Sequence, residues 1–185
     1  MSARVCPWWL GYTLIMPLRK LWHDPARVLA PHVKPGMTVL EPGCGMGFLT
    51  LELARRVGPS GKVVAVDLQP KMLEGMQRRA AAAGLGDRVE RRFAQLTTLN
   101  VDDMAGRIDF ALAFFFVHEV VDADRLFREM HAALKPGGRL LLVEPMLHVS
   151  WRAYARSLAL AQQAGLVVES RPRLRFCRSA VLVKR

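Results

Sequence analysis

Val39-Leu40-Glu41-Pro42-Gly43-Cys44-Gly45-Met46-Gly47 sets a short apolar run directly against a loop in which every second residue is glycine. Glycine reaches backbone angles that side chains forbid, and it lets a bound molecule approach the main chain closely. Thr38 to Glu41 reads as a strand and the stretch from about Phe48 to Val57 as a helix, so the loop joins the two. Val63 to Asp67 is a second apolar run, β-branched and continuous, of the kind buried on both faces of a parallel sheet. Its terminal carboxylate, Asp67, stands 20 positions after Gly47, where a carboxylate can accept hydrogen bonds from ribose hydroxyls.

The same alternation continues outward. A helix from about Pro70 to Ala83 ends at Gly84, and a third strand covers Val89 to Ala94. A fourth strand starts near Ile108 and carries Phe110 to Phe116. The next helix is capped by Asp122 or Asp124 and ends at Leu134, before the turn Lys135-Pro136-Gly137-Gly138. Leu140 to Glu144 is the fifth strand, and Ser150 caps a helix from Trp151 to Ala164. Leu166 to Lys184 reads as an antiparallel hairpin around Arg178 that completes the sheet edge, with Arg171, Arg173 and Arg175 spaced to line one face of a strand. Strands alternating with helices predict a Rossmann-like α/β fold. The Trp-rich segment ahead of it, Pro7 to Val33, predicts one or two helices. With no clear linker, residues 1–185 are expected to form one domain, a helical cover over residues 1–34 and a core over 35–185.

Two features separate the candidate ligands. The loop pattern is G-x-G-x-G, and a dinucleotide fingerprint would need glycine where Phe48 stands. Glu41 would also repel a pyrophosphate, whereas S-adenosylmethionine carries an ammonium and a sulfonium that a carboxylate attracts.

Four segments in this order and spacing, V-L-E-P-G-C-G-M-G, V-V-A-V-D-L, D-F-A-L-A-F-F-F-V-H-E-V-V-D and L-K-P-G-G-R-L-L-L-V-E-P, resemble the class I S-adenosylmethionine-dependent methyltransferases. The resemblance covers roughly residues 35 to 150. It implies a mostly parallel seven-stranded sheet with helices on both faces and an antiparallel last strand. It also implies that Gly43, Cys44, Gly45 and Gly47 line the methionine portion of the cofactor, that Glu41 faces its amino group and that Asp67 binds its ribose. Leu68 and Met72 would lie against adenine, and Phe114 would offer its backbone near the amino acid moiety. The family often has a Gly-Asp-Ala-like triplet after strand three; this chain reads Phe93-Ala94-Gln95, which leaves Gln95 to meet the adenine amine.

His118 and Glu119 follow strand four, at the edge where open α/β sheets hold ligands. His118 is the candidate base, with Glu119 orienting it or holding a cationic substrate; the competing reading has His118 packed at a strand end and Glu119 in solvent. Phe114-Phe115-Phe116 replaces the Asn/Asp-Pro-Pro-Tyr/Phe loop of many base-methylating relatives. The Val-His-Glu-Val stretch is closer to small-molecule methyltransferases acting on quinone precursors, arsenite or thiols. The leading expectation is therefore methyl transfer to a small molecule, leaving S-adenosylhomocysteine. An RNA or protein methyltransferase comes second, a non-catalytic scaffold third and a dinucleotide oxidoreductase last.

Composition sets the remaining bounds. With 51% hydrophobic and 23% charged residues the chain is expected to fold rather than stay disordered. The net charge of +11 is dispersed along the chain, which favours coding bias over a nucleic-acid stripe. Three scattered cysteines and no metal-ligand spacing among His23, His32, His131 and His148 predict a reduced, metal-free, cytoplasmic protein. The apolar start from Val5 to Pro17 is too short to span a bilayer, and it makes a lid over the site or a homodimer contact plausible.

Overall fold

The computed structural model describes residues 7–10 and 22–185. Seven strands form one sheet: β1 (Thr38–Pro42), β2 (Lys62–Asp67), β3 (Val89–Phe93), β4 (Ile108–Phe114), β5 (Leu134–Pro145), β6 (Leu166–Ser170) and β7 (Cys177–Lys184). Their spatial order is β3-β2-β1-β4-β5-β7-β6, parallel from β3 to β5 and antiparallel at the β5/β7 and β7/β6 pairings. The chain order reverses between β1 and β4, which opens a crevice at their C-terminal ends.

Among the described residues five α-helices accompany the sheet: α1 (Pro25–Leu29), α2 (Thr50–Val57), α3 (Pro70–Ala82), α4 (Ala123–Ala133) and α5 (Trp151–Gln163). Side chains alternate across β4, so Phe110, Leu112 and Phe114 share one core with α1 and α2, while Ala111 and Ala113 share another with α4 and α5. On the α2 face, α3 packs its Leu73 and Met76 against Ala65 of β2. Each fully buried Leu or Phe contributes about 1.5–3 kcal/mol by leaving water.

The helix ends explain themselves locally. Asp122, rather than Asp124, caps α4 by accepting from Arg125 N–H at 2.9 Å, and Ser150 caps α5 by accepting from Ala153 N–H at 3.1 Å. After α3, Gly84 takes φ +67° while Leu85 N–H donates back to Ala80 at 2.9 Å and Gly84 N–H to Ala81 at 3.0 Å, closing the last turn.

Three expectations need correction. Strand four stops at Phe114 instead of Phe116, because Phe115 turns to φ +57° while its N–H still donates to the Val143 carbonyl at 2.8 Å. The Lys135-Pro136-Gly137-Gly138 turn lies within β5, which begins at Leu134; the pairing jumps from Ile108↔Leu134 to Phe110↔Arg139, so the extra residues form a bulge. Arg178 sits inside β7 opposite Glu144, and the hairpin reverses over residues 171–176. Arg171, Arg173 and Arg175 therefore lie in an irregular connection, with exposed side chains alternating with half-buried Pro172 and Leu174. Half of the expected N-terminal cover, residues 1–6 and 11–21, lies outside the described residues; what is described of it includes a short 3-10 turn over Trp8–Leu10 and α1, whose Val28 and Leu29 pack on the core. Among the described residues no helix is long and apolar enough to cross a membrane.

Candidate active site

A cavity of about 680 Å³ opens at the C-terminal ends of the central strands, a size suited to a cofactor together with a small second ligand. Glu41, Gly43, Cys44, Gly45, Asp67, Leu68, Gln95, Phe114, His118 and Glu119 all line it, as does Met72. Gly47 does not; it lies behind the loop against Leu51 and Met76 of the two flanking helices.

The loop is hung from β2, since the N–H groups of Gly43 and Cys44 both donate to the Val66 carbonyl, at 2.8 and 3.0 Å. Gly43 holds φ +70°, and a Cβ there would overlap the Phe116 ring, 2.8 Å from its Cγ. Gly45 holds φ +54°, and a Cβ there would meet nothing within 4 Å. Its missing side chain is the open floor of a cradle.

Two carboxylates flank that cradle. Glu41, at the end of β1, is 4% exposed and accepts a 2.6 Å hydrogen bond from Thr50 Oγ1 at the start of α2. Burial pushes its pKa up to about 8; the Thr50 bond opposes the rise and the charge of Asp67 adds to it. Asp67 accepts from the N–H groups of Gly45 and Gln69, each at 2.9 Å; burial still lifts its pKa above the ordinary value. The Cys44 thiol is pushed well up by burial and by Asp67 and Glu41, so it is not a thiolate nucleophile. Two buried, anion-forming groups beside an open glycine floor suit a ligand that brings a cation to one and hydroxyl donors to the other. S-adenosylmethionine fits that donor set, with its ammonium and its ribose; a pyrophosphate does not.

On the opposite wall, Phe114 closes β4 and packs against Phe115 with ring centroids 4.5 Å apart and the planes tilted by 34°. His23 sets its ring edgewise to both, with Nε2 3.0 Å from the Arg175 carbonyl and 3.0 Å from Cys177 Sγ. Trp22 and His23 thus bring the N-terminal segment to the cavity wall. Gln95 lies in a tight turn where its N–H donates to the Thr98 carbonyl at 2.8 Å.

His118 has a partner that the linear pattern did not indicate. Its Nδ1 lies 2.5 Å from Glu144 Oε2, and its backbone N–H donates to Glu144 Oε1 at 3.2 Å. Glu119, expected to orient the ring or hold a cationic substrate, stands 4.0 Å from Nε2 on the ring's other side. Burial opposes charging of the imidazole, but the Glu144 hydrogen bond and the charges of Glu144 and Glu119 outweigh it, and the pKa rises above the ordinary histidine value. Glu144 is 1% exposed, at the end of the apolar strand Leu140-Leu141-Leu142-Val143. A lone charge closing so apolar a strand was the available signal, because a buried carboxylate requires a partner.

The topology, the glycine loop and the two carboxylates define a class I, S-adenosylmethionine-dependent methyltransferase fold. The chain belongs to the methyltransferase domain family, whose model matches residues 33–170. It is similar to the ubiquinone/menaquinone biosynthesis C-methyltransferase UbiE of Hahella chejuensis, 33% identical over 80% of this chain and 61% of that one. It is also similar to the demethylmenaquinone methyltransferase of Lactobacillus johnsonii, 30% identical over 66% of this chain and 52% of that one. The chain thus spans about half to three fifths of the length of these relatives. A SAM-dependent methyltransferase from Aquifex aeolicus superposes with a TM-score of 0.86 at 23% identity, covering 98% of this chain and 100% of that one, which shows a shared fold.

Proposed function

We propose that this domain methylates a small aromatic hydroxy compound of the quinol type, using S-adenosylmethionine. The observation that carries the reading is His118 on the wall of the same cavity as the Gly43–Gly45 floor, Glu41 and Asp67. The relatives that act in quinone biosynthesis support the acceptor class. When bound, S-adenosylmethionine supplies an electrophilic methyl group on a cationic sulfur. Gly43, Cys44 and Gly45 would line its methionine portion, Glu41 would take its ammonium and Asp67 its ribose hydroxyls. Leu68, Met72 and Gln95 would surround the adenine, and the Phe114 backbone would meet the amino acid moiety.

The rest of the work belongs to the chain. The apolar wall of Phe114, Phe115 and Phe116 holds a flat acceptor and excludes water, and such alignment is worth up to ~7–11 kcal/mol in well-oriented systems. His118 accepts the acceptor's hydroxyl proton at Nε2, which sends electron density into the ring and makes it nucleophilic. Glu119 adds negative charge beside the protonated imidazole that results. Residues 1–34 act as a cover over the site, within a single methyltransferase domain over residues 1–185; Trp22 and His23 at the wall support this.

Calorimetric titration with S-adenosylhomocysteine, with Asp67→Ala as control, tests the cofactor. Micromolar binding lost in the variant is expected, and no binding by either protein would overturn the reading. A methyl-transfer assay on 1,4-naphthoquinol, dithiothreitol and arsenite then tests the acceptor. Transfer to the quinol is expected, falling by about 10²–10⁴-fold in His118→Ala; transfer only to the thiol or to arsenite would overturn the acceptor class.

A further inference from the structure

We infer that Glu144 is the positioning residue of the site: it holds the His118 ring in the tautomer that leaves Nε2 free to accept a proton. The inference rests on the proposed role of His118 as base. Both Glu144 oxygens are engaged by one residue, Oε2 by the ring Nδ1 at 2.5 Å and Oε1 by the backbone N–H at 3.2 Å. A carboxylate can only accept, so in the neutral ring the hydrogen sits on Nδ1 and the lone pair on Nε2. The ring is 28% exposed whereas Glu144 is 1% exposed, which leaves the carboxylate behind the ring and the ring facing the cavity. The grip on the main chain as well as the ring fixes the orientation of the residue, not only its hydrogen.

Other titratable groups face the pair. Glu119, on the ring's own segment, stands 4.0 Å from Nε2. Tyr154 of α5 feels the Glu144 charge together with those of Arg171 and Arg178, and its buried hydroxyl has no hydrogen-bond partner among the described residues. Arg178, opposite Glu144 across the β5/β7 pairing, donates instead to the Val149 carbonyl at 2.6 Å. His148 and Asp122 line the same cavity. The contact joins residues 26 apart in sequence and is built by the parallel β4/β5 register, Phe114↔Val143.

Glu144→Gln is the discriminating variant, because it keeps the shape and adds a donor. With its amide oxygen accepting from the backbone N–H, its NH₂ faces Nδ1, which must then accept, and the ring hydrogen moves to Nε2. Nitrogen-15 NMR of His118 is expected to show the Nδ1–H tautomer in the parent protein and the Nε2–H tautomer in Glu144→Gln, with the apparent pKa lowered. With 1,4-naphthoquinol, kcat is expected to fall by about ten- to a hundredfold, less than for loss of the base itself. KM should stay within about twofold, and the acid limb of the kcat profile should move to lower pH. Glu144→Asp should restore part of kcat. S-adenosylhomocysteine affinity, unchanged in both variants, reports that the fold persists. An unchanged tautomer and titration in Glu144→Gln would overturn the inference, as would a rise in KM with an unmoved pH limb. If neither protein binds S-adenosylhomocysteine, the proposed function fails, and the NMR titration still decides the role of Glu144.

Discussion

Replacing Gly45 and, separately, Gly43 by alanine distinguishes a loop shaped for a ligand from one shaped only for the fold. Both glycines lie in the left-handed region, at φ +54° and +70°, where an L side chain costs about 1–2 kcal/mol. At Gly45 that strain is the whole structural cost, because a Cβ meets no atom within 4 Å. For a chain of this length, ~1–2 kcal/mol lowers Tm by roughly 2–8 °C. The new methyl group then stands on the cavity floor, in the space a ligand's main-chain approach requires. Gly43→Ala adds overlap with the Phe116 ring, 2.8 Å to Cγ, and its stability loss should exceed that of Gly45→Ala by about 1–3 kcal/mol, the usual range for overpacking. The assay is thermal unfolding followed by calorimetric titration with S-adenosylhomocysteine at a temperature where each variant is folded. Gly45→Ala should keep most of its stability and lose at least about tenfold in affinity, more than 1.4 kcal/mol. Parent-like affinity in Gly45→Ala would refute the cradle, and equal stability losses in the two variants would refute the Phe116 contact.

Three further outcomes follow from buried residues. Burial raises the folded-state pKa of Glu41 from 4.5 to about 8, so the stability of the protonated form is fully present below the unfolded value and is lost as pH rises through about 8. Tm of the ligand-free protein should therefore fall between about pH 5 and 8, and Glu41→Gln should flatten that fall; a parent-like slope in the variant would refute the assignment. Binding of an ammonium beside Glu41 should release close to one proton at pH 7. The enthalpy of S-adenosylhomocysteine binding should then vary with the buffer's ionisation enthalpy in the parent protein and not in Glu41→Gln. Phe127→Ala in α4, fully buried in the core shared by α4 and α5, should cost about 3–5 kcal/mol and lower Tm by roughly 6–20 °C. A loss under 1 kcal/mol would mean that the α4 face is not packed as described.

Periodicity, glycine chemistry and capping are local properties, so the sequence alone sufficed for the order of strands and helices, the loop between β1 and α2, and the caps at Ser150 and Gly84. The continuous apolar run Val63–Asp67 marked a strand buried on both faces, and the carboxylates at Glu41 and Asp67 followed from where such strands end. Three features depended on residues distant in the chain. Lys135-Pro136-Gly137-Gly138 has the composition of a turn, yet pairing with β4 draws it into β5 as a bulge. The hairpin's reversal was displaced from Arg178 because the antiparallel register with β5 sets Arg178 opposite Glu144. His118 was legible as a candidate base with Glu119 beside it, but Glu144 was not: Glu119 stands 4.0 Å from Nε2, while the ring's Nδ1 is met from the next strand. Local pattern reports which residues can share a face or end a strand. Which distant carboxylate meets which imidazole is decided only when parallel pairing brings the ends of β4 and β5 side by side and the core around them excludes water.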